Sequence, residues 1–217
     1  MTEKLDHYTP GSAYGAQVNK DVQNSKDKWT LILVRELRHS PEKVWQALTD
    51  PVHLREWAPF VVDGNLATVG ATVNLTWVGS PAPQRTKVVQ ANAPELLEYN
   101  DIRWELQAVP DGTRLTLCHK IDRRFITWGA AGWHICFDVL DRLLAGAPIA
   151  RFAGVDASRF AGVDATRFDG WQRLVAEYAK QFGVEAPKWT PGGKPKAESR
   201  EPNPGSQPNV SSSGTKN

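Results

Sequence analysis

The sequence predicts an α+β fold in which a curved antiparallel sheet packs against a long helix. Three features predict it. An alternating strand near the start is followed by two short capped helices, a series of alternating segments joined by turns fills the middle, and a long amphipathic segment comes late in the chain. Such a meander has one apolar face, which a helix can cover. The 217 residues are enough for one such domain with tails.

The first strand and the two short helices follow from local signals. Residues 29–37, WTLILVREL, alternate like a strand, and one face carries Leu31, Leu33, Arg35 and Leu37. Ser40 is the predicted N-cap of the first helix, with Pro41 at its first position. Asp50-Pro51 ends that helix and opens a second, PVHLREW.

The middle of the chain is predicted to be a meander. The alternating segments are 71–78, 84–91, LLEYN, RWELQAV and TRLTLCHKI. Pro110-Asp111-Gly112 joins the last two and is a strong hairpin signal. Either the helix that directly follows the meander or the final helix should cover the sheet.

Composition divides the chain into three parts. We predict a flexible arm over residues 1–27, the folded domain over 28–185 and a disordered tail over 186–217, which is rich in Pro, Gly, Ser and Lys. Tyr8 and Tyr14 are the arm residues expected to attach it to the domain.

An internal repeat precedes the last predicted helix. RFAGVDAS at residues 151–158 is followed by RFAGVDAT at 159–166, and two such short copies cannot form a solenoid. We interpret them as a tandem duplication that lengthened a connection. Asp164 is the predicted N-cap of the last helix, which should end at Gly183.

Several classes of protein are excluded by composition and motifs. The net charge of +2 comes from the tail, so the domain lacks the basic surface that nucleic acid requires. No apolar run reaches membrane-span length, and the start has no apolar signal-peptide region. Cys118 and Cys136 form no C-x-x-C motif and are expected to be buried thiols of a cytoplasmic protein. No metal or cofactor motif is present, so neither is expected.

The segment AGWHICFDVLDRLLAG combines a histidine, a cysteine and an aspartate, but a helix separates them. His134 and Asp138 are four residues apart and share a face, whereas Cys136 points to the other side. The apolar stripe comprises Trp133, Cys136, Phe137, Leu140, Leu143 and Leu144. The opposite, polar face comprises His134, Asp138, Asp141 and Arg142. We interpret the segment as a packing helix with a buried cysteine and a solvated histidine.

Two polar residues share strand faces with apolar ones. His119 alternates with Leu115, Leu117 and Ile121, so it is either a polar contact for a ligand in a cavity or a histidine bonded to backbone or water. Arg35 either anchors an anion or pairs with a carboxylate across the sheet. The sequence leaves both alternatives open.

Residues 37–57, LRHSPEKVWQALTDPVHLREW, resemble the N-terminal signature of the START-like (SRPBCC, Bet v 1-like) superfamily. Within it, the similarity is to bacterial homologues of the C-terminal domain of the heat-shock protein 90 ATPase activator. LLEYN with RWEL, AAGWHICFDVLDRLLAG and GWQRLVAEYAKQFGV resemble later blocks. The resemblance covers about residues 29–184. It implies a helix-grip fold, in which the sheet wraps a long C-terminal helix around an apolar cavity.

That resemblance implies a protein that binds a small hydrophobic or amphipathic molecule. The candidate ligand-binding residues are Trp57, Phe60, Trp77, Trp104, His119, Trp133, Phe137 and Leu140. They are expected to line a cavity of about a few hundred Å³ between the helix and the strands; the alternative is that they fill the core. Two other functions stay open: a chaperone-interacting protein, and a cavity enzyme of cyclase or hydrolase type using His119, with Arg35 and Tyr99 as further polar groups. The oligomeric state is not indicated.

Overall fold

The computed structural model describes residues 8–20, 28–147, 163, 165 and 169–186. Over these residues the chain forms one antiparallel eight-stranded sheet, in the order β1-β2-β8-β7-β6-β5-β4-β3. The strands are β1 (Ala16–Asn19), β2 (Lys28–Leu37), β3 (Phe60–Val62), β4 (Thr72–Trp77), β5 (Gln84–Asn92), β6 (Leu96–Tyr99), β7 (Ile102–Val109) and β8 (Gly112–Asp122).

Four α-helices accompany the sheet in the same described ranges. They are α1 (Pro41–Thr49), α2 (Pro51–Trp57), α3 (Ile126–Leu144) and α4 (Trp171–Phe182). The predicted α+β fold of helix-grip type is therefore confirmed. None of the helices in the described part of the chain is both long and apolar enough to cross a membrane.

The two short helices begin where the sequence predicts. Ser40 caps α1, its Oγ accepting a hydrogen bond from the backbone N–H of Lys43 at 3.4 Å. Asp50 ends α1 and caps α2, its carboxylate accepting from the N–H of Val52 at 2.8 Å. Each cap satisfies a backbone donor that the first turn of a helix leaves unpaired. The sharp turn between α1 and α2 is thus fixed by neighbouring residues.

The helix held by the sheet is α3, and α4 packs on α3. The register between β2 and β8 places Leu31, Leu33 and Arg35 opposite His119, Leu117 and Leu115, all on the face that α3 covers. Leu31, Leu33 and Leu117 are fully buried there. Two helices were predicted as candidates to cover the meander, and α3, which directly follows it, is the one that does.

Strand β1 was not predicted, because its four residues lie in the segment assigned to the N-terminal arm. AQVN is too short and too polar to show a clear alternation. It becomes a strand by pairing antiparallel with β2, Ala16 opposite Leu33. The pairing begins with the N–H of Val34 donating to the carbonyl of Gly15 at 2.7 Å.

The start of α4 corrects one prediction. Its N-cap is Gly170, and the helix begins only after the Asp169-Gly170 turn, where glycine adopts a positive φ of 90°. The predicted cap, Asp164, lies outside the described residues. Its end at Gly183, also at positive φ, is as predicted. The repeat, apart from residues 163 and 165, and the tail from residue 187 lie outside the described residues.

Gly112 and Gly79 form a matched pair for testing the hairpin. Both have positive φ, but a Cβ on Gly112 would lie 2.1 Å from the carbonyl oxygen of Leu37, whereas nothing lies within 4 Å of a Cβ on Gly79. We expect Gly79→Ala to lower the unfolding free energy by about 1 kcal/mol from backbone strain alone. Gly112→Ala should cost at least roughly twice as much, because the backbone must also move. Urea unfolding measures both; equal losses would contradict the close approach.

Candidate functional site

The predicted ligand-binding residues come together around Trp133. We call Trp57, Phe60, Trp77, Trp104, His119, Trp133 and Phe137 the aromatic cluster. The centroids of the other six rings lie 5.4–6.4 Å from that of Trp133. Leu140 is also buried, and it follows Phe137 after one turn of α3. The structure thus assembles residues from α2, β3, β4, β7, β8 and α3 at one place.

The indole N–H groups of the buried tryptophans have hydrogen-bond partners. Trp57 Nε1 donates to the carbonyl of Ala47 at 2.9 Å, and Trp104 Nε1 donates to the hydroxyl of Tyr99 at 3.1 Å. Trp133 Nε1 donates to Nδ1 of His119 at 3.0 Å. Because these donors are satisfied, the rings can be buried without the cost of an unpaired polar group.

His119 is a neutral hydrogen-bond donor at the edge of this cluster. Its Nδ1 accepts from Trp133, so in the neutral ring the proton is on Nε2. Burial lowers its pKa from 6.5 to about 4, so the ring is uncharged at neutral pH. The ring stacks on Trp77, with centroids 5.6 Å apart and planes inclined by 2°. Of the two alternatives for His119, the ring contacts favour a polar group within an apolar site.

Burial differs across the aromatic cluster. Trp57, Phe60, Trp104 and Phe137 are fully buried, and Trp133 nearly so, whereas Trp77 and His119 are only half-buried. The inner rings therefore pack against one another as part of the core. The cluster meets solvent at Trp77 and His119, which is where an incoming molecule would first touch it.

A second group of polar side chains lies on the other side of α3. It comprises Tyr8, Tyr14, Arg35, His134, Asp138 and Tyr178, and we call it the polar cluster. The prediction of a solvated His134 is wrong, because its side chain is fully buried. Tyr178 of α4 and Tyr14 of the arm both contact its ring. The polar face of α3 is thus covered by α4 and the arm. The expected attachment of the arm through Tyr8 and Tyr14 is confirmed.

Arg35 pairs with a carboxylate, but on α3 rather than across the sheet. Its Nη2 lies 3.5 Å from Oδ1 of Asp138, and its guanidinium carbon is 3.9 Å from the centre of the Tyr14 ring. Arg35 is only 5% exposed. Its Nε, Nη1 and Nη2 make no hydrogen bond to any residue that the structure describes.

The proton positions at His134 follow from Tyr178. The Tyr178 hydroxyl has one proton, which it donates to the carbonyl of Tyr14 at 3.1 Å. The same oxygen is 2.8 Å from Nδ1 of His134, so Nδ1 must carry a proton and donate it. Nε2 of the neutral ring is then an acceptor, and it lies 3.6 Å from Oδ2 of Asp138. Burial lowers the pKa of His134 to about 4 and raises the pKa of Asp138 above its usual value.

The cysteine side of α3 is as predicted. Cys136 is fully buried, on the apolar stripe. The prediction of a buried thiol is wrong for Cys118, which is only half-buried in β8. No three His, Cys, Asp or Glu side chains converge as a metal site within the described ranges. Three parts of the polar cluster were visible in the sequence: Arg35 on the apolar face of β2, the His134–Asp138 proximity from the four-residue spacing, and the two arm tyrosines. Tyr178 gave no such signal.

The fold and the residue pattern together are those of a START-like domain. Residues 38–145 match the family described as Activator of Hsp90 ATPase homolog 1-like protein. No curated protein matches the chain. The family supports a ligand-binding or a chaperone-associated role.

Solved structures of bacterial proteins share this fold. CalU16 from Micromonospora echinospora has a TM-score of 0.54 at 16% identity, covering 77% of this chain and 94% of its own. A conserved protein of unknown function from Enterococcus faecalis has a TM-score of 0.51 at 14% identity, covering 76% and 89%. A protein from Arthrobacter aurescens has a TM-score of 0.50 at 18% identity, covering 65% and 98%. Identities this low show the fold alone.

The lowered pKa of His119 predicts how stability depends on pH. The unfolded chain binds a proton at this histidine below about pH 6.5, whereas the folded protein binds it only near pH 4. The unfolding free energy should therefore fall as the pH drops through this window. His119→Gln keeps an acceptor for Trp133 Nε1 but cannot be protonated, so its stability should fall less steeply. Chemical unfolding at several pH values measures both slopes, and identical slopes would contradict the burial argument.

Proposed function

We propose that the protein binds a small, uncharged, mostly apolar molecule with one hydrogen-bond acceptor at the Trp77–His119 edge of the aromatic cluster. The observation that carries this proposal is the half-buried His119. It is neutral, stacked on Trp77 and held by Trp133, and its Nε2–H provides a donor among apolar rings.

The chemistry of this edge favours an uncharged ligand. A neutral donor bonds a carbonyl or ether oxygen without the cost of burying a charge. Trp77 and Trp133 supply flat apolar surface at a low cost in side-chain entropy, as aromatic residues do in binding sites generally. The cavity expected between Trp133, Phe137 and the strands stays part of this proposal. A ligand that enters there must move the Trp77 ring.

Native mass spectrometry of freshly purified protein is the direct test. We expect extra mass of a few hundred daltons that is lost on denaturation, consistent with the size of ligand that such sites hold. A purely apo mass, together with no binding of added aromatic ketones, would contradict the proposal.

Benzophenone is a suitable probe, because it is apolar, uncharged and carries one carbonyl acceptor. We expect it to quench tryptophan fluorescence saturably and to bind more tightly than diphenylmethane, which lacks the acceptor. Trp77→Leu should weaken benzophenone binding about tenfold, since an aromatic contact of this size is lost.

Trp128→Leu is the matched control for Trp77→Leu. Trp128 is also half-buried, but its ring contacts Phe125 and Trp171, outside the aromatic cluster. Its replacement should leave benzophenone affinity unchanged. Equal losses in the two variants would show that the probe does not bind at the Trp77–His119 edge.

A chaperone-associated role is the second candidate, and the family match over residues 38–145 supports it. In that case the purified protein should change the ATP turnover of an Hsp90 in a saturable manner, and Trp77→Leu should retain the effect if a different surface is used. No change at saturating protein would dismiss this candidate.

A cavity enzyme that uses His119 has weaker support. The Tyr99 hydroxyl accepts from Trp104 and Arg35 pairs with Asp138, so neither forms a hydrogen bond to His119 within the described residues. Burial also raises the pKa of Tyr99, which disfavours its ionised form. We also propose a cytoplasmic location, which the two thiol-form cysteines support.

A further inference from the structure

Arg35 is a buried cation whose hydrogen-bonding capacity is unused. Its side chain is 6% exposed, and its three guanidinium nitrogens make no hydrogen bond to any described residue. An arginine in the core normally satisfies these donors, because an unpaired buried donor costs free energy. Packing of the sheet does not require an arginine at this position, since the neighbouring residues on this face of β2 are leucines.

Asp138 balances the charge of Arg35 without satisfying its donors. One oxygen approaches a single guanidinium nitrogen at 3.5 Å, too far for a strong charge-assisted bond. The other oxygen accepts from the Tyr8 hydroxyl and faces Nε2 of His134 at 3.6 Å. Nε2 is an acceptor in the tautomer that Tyr178 imposes, so two acceptors face each other with no proton between them. One added proton would relieve that contact.

We propose that Arg35 anchors a second binding site, for a small carboxylate, beneath the N-terminal arm: the ligand becomes the counter-ion of Arg35, and the Asp138–His134 pair takes up one proton. This site is distinct from the Trp77–His119 edge, because it lies on the other side of α3, although the Phe137 ring borders both Arg35 and the aromatic cluster. It does not depend on the proposed function.

The geometry around Arg35 selects a carboxylate. A guanidinium presents two parallel N–H donors in its plane, which a planar carboxylate accepts in a bidentate manner. The Tyr14 ring lies 3.9 Å from the guanidinium carbon, and the Phe137 ring lies 5.8 Å from it. With aromatic rings this close to the guanidinium, a planar carboxylate in the guanidinium plane fits better than a tetrahedral phosphate.

The N-terminal arm closes this site and gives a route into it. Tyr14 covers the guanidinium but is itself 51% exposed. The arm is held to α4 mainly by polar contacts, such as the N–H of Ala13 donating to Glu177 at 2.7 Å and Gln181 donating to the carbonyl of Ala16 at 2.6 Å. Displacing one exposed ring would therefore expose Arg35 without opening the core.

The proton uptake gives the site a pH dependence. The groups facing Asp138 are Tyr8 and Tyr14 from the arm, Arg35 from β2, His134, Asp141 and Arg142 from α3, and Tyr178 from α4. His134 also faces Arg173 and Glu177 of α4, whose opposite charges act on it together. Among them Arg35 stays charged and the tyrosines stay protonated, so the proton goes to Asp138 or His134. Binding that takes up a proton becomes tighter as the pH falls. Carboxylate affinity should rise from about pH 7.5 to about pH 5.5, while the ligand stays ionised.

The test is an NMR titration of the ¹⁵N-labelled full chain with sodium acetate, exchanged for sodium chloride at constant ionic strength. We expect the side-chain Nε–H resonance of Arg35 to shift saturably with acetate. The acetate affinity obtained from this shift should be higher at the lower pH. Acetamide, the uncharged isostere, should cause no such shift. No saturable shift with acetate, or an equal shift with acetamide, would overturn the proposal.

The variant Asp138→Asn and a double variant distinguish binding at Arg35 from nonspecific anion binding. Asp138→Asn keeps an oxygen for the Tyr8 hydroxyl but removes the competing charge, so acetate should bind at least roughly tenfold more tightly and lose its pH dependence. This variant leaves Arg35 without a counter-ion, so its melting temperature should be lower than that of the unmodified protein. Acetate should raise the melting temperature of the variant more than chloride does.

The double variant Arg35→Leu/Asp138→Asn is the matched control. It removes both members of the buried ion pair, a change that proteins often tolerate. It should fold, and acetate should no longer raise its melting temperature relative to chloride. If acetate stabilises the double variant as much as Asp138→Asn, the anion binds elsewhere and the proposal fails.

Discussion

The structure depends on the burial of α3 from both sides. Trp133 projects from one face and lies within 6.4 Å of six other rings, which come from α2 and from four strands as well as from α3 itself. The opposite face places His134 and Asp138 under α4 and the N-terminal arm. Because this helix contacts the other three α-helices and the strands β2, β3, β4, β7 and β8, a change in its orientation would disturb much of the domain.

The two faces of α3 give the molecule two environments of opposite character. The aromatic cluster is apolar, the indole donors of Trp57, Trp104 and Trp133 are satisfied, and His119 is uncharged. The polar cluster holds an ionic pair in the same low-dielectric interior, where burial opposes every charge. Phe137 touches both, since its ring packs on Trp104 and lies 5.8 Å from Arg35. A buried ion pair is poor evidence for stability, which is why Arg35 suggests function.

Much of the fold was predictable because its signals are local. The caps at Ser40 and Asp50 act within three residues of each helix start, and the Pro110–Gly112 turn fixes the β7–β8 hairpin. The candidate ligand residues could also be grouped in advance, since strand alternation and the helical stripe identify the faces that must meet. The family resemblance predicted how these faces are brought together, namely in a helix-grip fold.

The sequence by itself determined most of the strands and helices of the domain, because caps, turns and alternation are properties of neighbouring residues. Only the tertiary structure decided what covers each face. Strand β1 exists because β2 offers it an edge, and α4 begins at Trp171, after Gly170 at positive φ. His134 is buried because α4 and the arm lie over it. Such coverage depends on residues far apart in the chain, and a polar face carries no local mark of the element that will bury it.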